Sequence, residues 1–129
     1  MNIVNRALTL NRIVANQTVE CIAGCRVELD AFEIAGLTIP GNPGFRLRCV
    51  LEGVDVGPDA VIYTYPRSRT FTSPQDLLNV DHVFTEVVSQ DILNEDVNDS
   101  DEIRAVFTLV NLSTGQSRIR RSPRVDIVL

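Results

Sequence analysis

Apolar side chains recur at every second position along most of this chain, and that spacing constrains its fold more than any other feature. Phe45, Leu47, Cys49 and Leu51 alternate with Arg46, Arg48, Val50 and Glu52. Successive side chains of an extended strand point to opposite faces, so such a segment buries one face and leaves the other to water. Cys25, Val27 and Leu29 alternate with Arg26, Glu28 and Asp30 in the same way. The apolar parity then moves to Phe32 and Ile34, which one inserted residue near Asp30 and Ala31 explains as a β-bulge. Val61, Tyr63 and Tyr65 predict another strand, residues 83 to 88 a further one, and residues 103 to 112 the most strand-like segment of all.

Turn chemistry falls between these runs. Residues 36 to 44 carry Pro40 and Pro43, residues 53 to 59 carry Gly57 and Pro58, and residues 66 to 74 are polar and arginine-bearing. Residues 113 to 116 predict a hairpin turn in which Gly115 supplies a positive φ. Helix signals are few. Ser73 followed by Pro74, Gln75 and Asp76 predicts one short helical turn with proline at its first position. Pro123 has no N–H to give a ladder, so it marks an edge or a kink, after which Val125, Ile127 and Leu129 restart a strand facing inward, with a switch of sheets open to it at that kink.

The expectation is one domain over residues 1–129: an all-β, antiparallel β-sandwich of immunoglobulin-like or similar Greek-key topology, with about seven to nine strands and at most one short helix. A chain of this length removes about two thirds of its unfolded surface from water and needs no covalent staple.

Charge narrows the partners. The net charge is -5, and all twelve basic residues are arginine. A net acidic protein does not release counterions from nucleic acid or anionic membranes, so general adhesion to either is disfavoured. With no lysine there is no phosphate-loop lysine, no Schiff base and no lysine–asparagine cross-link. The longest apolar stretches fall far short of the roughly 20 residues that span a bilayer, so no membrane insertion is expected. The first ten residues place Arg6 among short alternating apolar positions and do not read as a secretory signal. That makes the cytoplasm the default location; an extracellular or virion setting is compatible with the same residues.

Oxygen ligands concentrate in one segment. Residues 95 to 102 include Asp96, Asn98, Asp99 and Asp101, the donor type that a hard cation such as calcium requires. The four residues Asp96, Val97, Asn98 and Asp99 resemble the calcium-binding tetrapeptide of cadherin domains, which implies calcium as a ligand. An EF-hand does not fit, because position six of a loop starting at Asp96 is Asp101 rather than glycine.

Guanidinium groups concentrate in another. Arg118, Arg120, Arg121 and Arg124 crowd the final hairpin arm, with Ile119 pointing the other way. Arginines at alternating strand positions can hold carboxylates, sulfates or phosphates bidentately, and Arg46 with Arg48, or Arg67 with Arg69, can extend such a face. No aromatic is interleaved with these arginines and tryptophan is absent, so nucleic-acid binding is disfavoured.

Catalytic signals are thin. His82 is the only histidine, and Cys21, Cys25 and Cys49 sit at inward parity among valine and leucine, where thiols behave as small hydrophobes. If Cys21 and Cys25 lie on one continuous strand they stand about 13 Å apart, too far for a disulfide, whereas a turn at Gly24 would bring them closer. Reduced, unreactive thiols are expected. The sequence therefore points to a non-catalytic binding or assembly module that offers loops and a sheet edge to a protein partner or a second copy. A calcium-dependent adhesion or carbohydrate-binding sandwich is the alternative, and an enzyme of unknown class, tested by His82→Ala, is third.

Overall fold

Strands form where the alternation runs, and they stack as two antiparallel sheets. The structure, a computed structural model, describes residues 1–54, 60–94 and 101–129. The first sheet holds β1 (Asn2–Ile13), β2 (Thr18–Glu28) and β6 (His82–Ser89) in the order β1-β2-β6. The second holds β3 (Phe45–Gly53), β4 (Ala60–Thr64), β7 (Asp101–Asn111) and β8 (Ser117–Arg121) in the order β4-β3-β7-β8. Two short strands extend its edges: β5 (Arg69–Phe71) pairs with β3 beside β4, and β9 (Val125–Ile127) pairs with β7 beside β8.

The core lies between the sheets and is read directly from parity. Val19, Cys21, Ala23, Cys25 and Val27 of β2 face Phe45, Leu47, Cys49 and Leu51 of β3 and Ile103, Ala105, Phe107 and Leu109 of β7, all buried. Phe84 of β6 joins the sheets, with its ring 5.7 Å from Tyr65 and 6.4 Å from Phe107. Phe107 is fully enclosed, and truncating such a ring to alanine typically costs about 3–5 kcal/mol. Tyr65 closes the core with a polar tie: its hydroxyl donates to the Cys21 carbonyl at 2.9 Å.

Several expectations hold. Residues 73 to 77 form the short helix α2 (Pro74–Leu77), with Ser73 Oγ accepting from the Gln75 N–H. Gly115 has a φ of 79° in the β7–β8 turn. Two expectations are corrected. Residues 31 to 37 are not a bulged strand but a helix, α1 (Ala31–Leu37), and with α2 and α3 (Gln90–Leu93) the described residues contain three short helices rather than at most one. The cause at α1 is a reciprocal cap. Asp30 Oδ1 accepts from the Glu33 N–H at 2.7 Å while Glu33 Oε1 accepts from the Asp30 N–H at 3.0 Å. The bulge of this sheet lies instead in β1, between Val4 and Ala7, where Asn5 has a φ of 50°. Finally, the chain does not switch sheets at Pro123, because β9 resumes on the same edge of β7 that β8 occupies.

Candidate functional site

One end of the sandwich is built from the β2–β3 connection and the β7–β8 turn, and between them lies a groove of about 650 Å³. The connection is held by short local bonds. Asn42 donates from Nδ2 to the Gly36 carbonyl at 3.0 Å, and its Oδ1 accepts from the Gly44 N–H at 2.8 Å. Gly44, at a φ of 86°, packs directly on the Phe71 carbonyl, leaving no room for a Cβ. On the other wall, Asn111 Oδ1 accepts from the N–H groups of Ser113 and Thr114 at 3.0 and 3.3 Å, which fixes the turn.

This scaffold holds two apolar side chains in water. Phe32, on the first turn of α1, is 87% exposed, and Ile39, just past the helix, is 62% exposed. Both line the groove, together with Asp30, Glu33 and Arg118. The two carboxylates already have partners: Asp30 caps α1, and Glu33 takes the terminal ammonium of Met1 at 2.7 Å. Arg118 donates through Nε to the Met1 carbonyl at 3.3 Å, and among the described residues it has no ion-pair partner. Its guanidinium is thus the cation on the rim that is available to an incoming anion.

The four C-terminal arginines do not make one face. Arg118 and Arg120 lie opposite Leu109 and Phe107, whereas Arg121 lies opposite Val106 on the reverse face of the sheet. Arg120 bonds the Ile119 carbonyl at 2.9 Å, Arg124 pairs with Glu102 at 2.9 Å, and Arg121 reaches Glu52 at 3.4 Å. Glu52 itself is buried, and Arg104 grips it at 2.7 Å. Two of the four arginines are therefore tied to carboxylates, and only Arg118 lines the groove.

The candidate calcium residues Asp96, Asn98 and Asp99 lie outside the described residues. Asp101 opens β7, opposite Ile127, and is buried. Among the described residues no three His, Cys, Asp or Glu side chains gather into a metal-binding group, and no helix is long and apolar enough to cross a membrane.

The thiols and His82 are interior. Cys21, Cys25 and Cys49 are free and buried. Burial pushes the Cys21 thiol up to about 12, with the Glu20 carboxylate adding to it. Burial does the same to Cys25, also to about 12, against a smaller pull from Arg69. Cys49 is raised by burial and by Cys25. Cys21 and Cys25 both belong to the continuous strand β2, so no turn at Gly24 brings them together. His82 is buried with Nε2 at 2.8 Å from the Leu77 carbonyl, so Nε2 carries the proton and donates it there. Its ring lies 4.9 Å from that of Phe71.

Sequence reasoning missed Phe32 and Ile39, because a strand reading gave Phe32 and Ile34 to a sheet. The available signal was the aspartate at position 30 followed three residues later by glutamate, the pattern of a helix start. Compared with protein-family models, with curated proteins and with solved structures, the chain has no significant match.

Proposed function

We propose that this chain is a non-catalytic binding module whose groove, between α1 and the β7–β8 turn, docks an extended segment of a protein partner. The observation that carries the reading is the exposure of Phe32 and Ile39 on a well-braced end of the fold. Covering side chains of this kind is worth about 1.5–3 kcal/mol each, and isolated exposed apolar residues acquire meaning when they line one concavity. The segment that fits presents an apolar side chain to Phe32 and Ile39 and a carboxylate to Arg118, a pairing that arginine makes bidentately.

Strand order supports the same end of the molecule. We read the sheets β1-β2-β6 and β4-β3-β7-β8 as an immunoglobulin-like arrangement, with strands A, B and E in one sheet and C′, C, F and G in the other. On that correspondence the groove lies between the B–C and F–G loops, two of the three loops with which variable domains bind. The argument is a fold-level analogy, and the side chains are what give it chemical content.

A peptide-display selection on the folded protein, with Phe32→Asp as counter-target, tests the reading. Clones retained by the wild type and lost on the variant support it, whereas clones that bind both equally place docking elsewhere. Calcium titration separates the calcium-dependent alternative: a rise in melting temperature that Asp96→Asn with Asp99→Asn abolishes would favour that alternative.

A further inference from the structure

A second cavity, of about 380 Å³, lies on the outer face of the β4-β3-β7-β8 sheet, away from the groove. Its position follows from strand parity. Leu47, Cys49 and Leu51 of β3 point into the core, so Arg46, Arg48 and Val50 point out. Across the ladder on β7 their neighbours are Val110, Thr108 and Val106, and on β4 Thr64 stands beside Val50. Where β4 ends and β5 has not begun, the chain passes through Pro66 and Ser68, leaving a recess over Arg48.

Among the described residues the lining has one cation, four hydroxyl-bearing side chains, of which Tyr65 turns its hydroxyl to the Cys21 carbonyl in the core, and an apolar floor. Arg48 supplies the guanidinium, Thr64, Ser68 and Thr108 the hydroxyls, and Val50 and Val106 the floor. Among the described residues no carboxylate lines it. The next carboxylate along β3, Glu52, is held by Arg104 at 2.7 Å and Arg121 at 3.4 Å and so does not neutralise Arg48. Among the described residues neither Arg46 nor Arg48 has an ion-pair partner. Arg46, two residues along the same face and outside the lining of the recess itself, buries its Nε with no hydrogen-bond partner. A buried donor left unpaired on a cation is costly, and an acceptor that reaches it recovers that cost.

We propose that Arg48, Thr64, Ser68 and Thr108, with Arg46 beside them, form an oxyanion site that takes the phosphate or sulfate group of a small monoester. A tetrahedral oxyanion offers acceptors in several directions, which suits a planar guanidinium fork meeting hydroxyls from two neighbouring strands and a loop. The recess lies near the lower end of ligand-pocket sizes, enough for the anion and a modest organic group over Val50 and Val106. A polyanion does not suit it, because the net charge of -5 repels the rest of a long acidic chain.

The test is an amide NMR titration of the full chain with inorganic phosphate, inorganic sulfate and phenyl phosphate, each against sodium chloride at matched ionic strength. Saturable shifts at Arg48, Thr64 and Thr108 are expected, with Arg48→Gln and Thr108→Val each weakening binding, the former by about tenfold or more. Whichever of phosphate and sulfate binds more tightly identifies the ester. Arg48 is exposed and Thr108→Val keeps the side-chain shape, so both variants are expected to fold. Shifts that do not saturate, that chloride reproduces, or that Arg48→Gln leaves unaltered overturn the proposal. Groove binding is read separately, because neither substitution touches Phe32 or Arg118.

Discussion

Asp30 and Glu33 cap each other: the carboxylate of each accepts the backbone N–H of the other, at 2.7 and 3.0 Å. That reciprocal pair turns the chain out of β2 into α1 and places Phe32, between them, in solvent. The shape of the groove depends on this local bond more than on the core beneath it.

Asp30→Ala should therefore destabilise the protein by about 1 kcal/mol, the usual value of a lost cap. Chemical denaturation measures it. Binding at the groove should weaken more than stability does, since the helix start that presents Phe32 loosens while the sheets stay intact. Equal stability of variant and wild type would show that α1 does not depend on the cap.

Gly44→Ala should be far more damaging than Gly115→Ala. Both glycines have positive φ, 86° and 79°, so both substitutions bear a left-handed backbone cost of about 1 kcal/mol or more. At Gly115 a new Cβ meets nothing within 4 Å, whereas at Gly44 it runs into the Phe71 carbonyl, which is fixed by the β3–β5 ladder. The denaturation midpoints of the two variants should differ clearly, with Gly44→Ala the lower.

The thiols predict an alkaline weakening. Unfolded cysteines ionise near their ordinary value of 9.0, while folded Cys21 and Cys25 keep their protons to about 12. Above the unfolded value the unfolded state binds fewer protons, so stability falls as pH rises. The contribution is complete below about pH 9 and declines toward pH 12, by about 1.4 kcal/mol per pH unit for each thiol. Urea midpoints across this range should show the decline, with a shallower slope in Cys21→Ala. In the native protein at neutral pH all three thiols should resist a thiol reagent and react once the protein is unfolded. Rapid native labelling would contradict their burial.

The sandwich was legible because burial on one face imposes alternation on strands such as β2 and β3, though not on the bulged β1. Segments too short for periodicity were not. β5 has three residues, Arg69–Phe71, and forms because β3 offers it an edge. The helix α1 hid behind the apolar spacing of Phe32 and Ile34, which suits a shifted strand as well as a helix turn. The arginines were legible as residues but not as a surface. Parity correctly set Ile119 against Arg118 and Arg120, but the pairing of Arg121 with Glu52 spans 69 positions and depends on ladder register. The recess at Arg48 depends on register in the same way.

The central claim is that a partner segment docks between α1 and the β7–β8 turn. The most direct measurement is the amide NMR footprint, on the full chain, of a peptide selected for binding. Shifts confined to residues 30 to 42 and 113 to 118, abolished by Phe32→Ser and weakened by Arg118→Gln with the fold unchanged, are the predicted result. A footprint along the free edge of β1, or on the outer face around Arg46 and Arg48, that survives Phe32→Ser would contradict it.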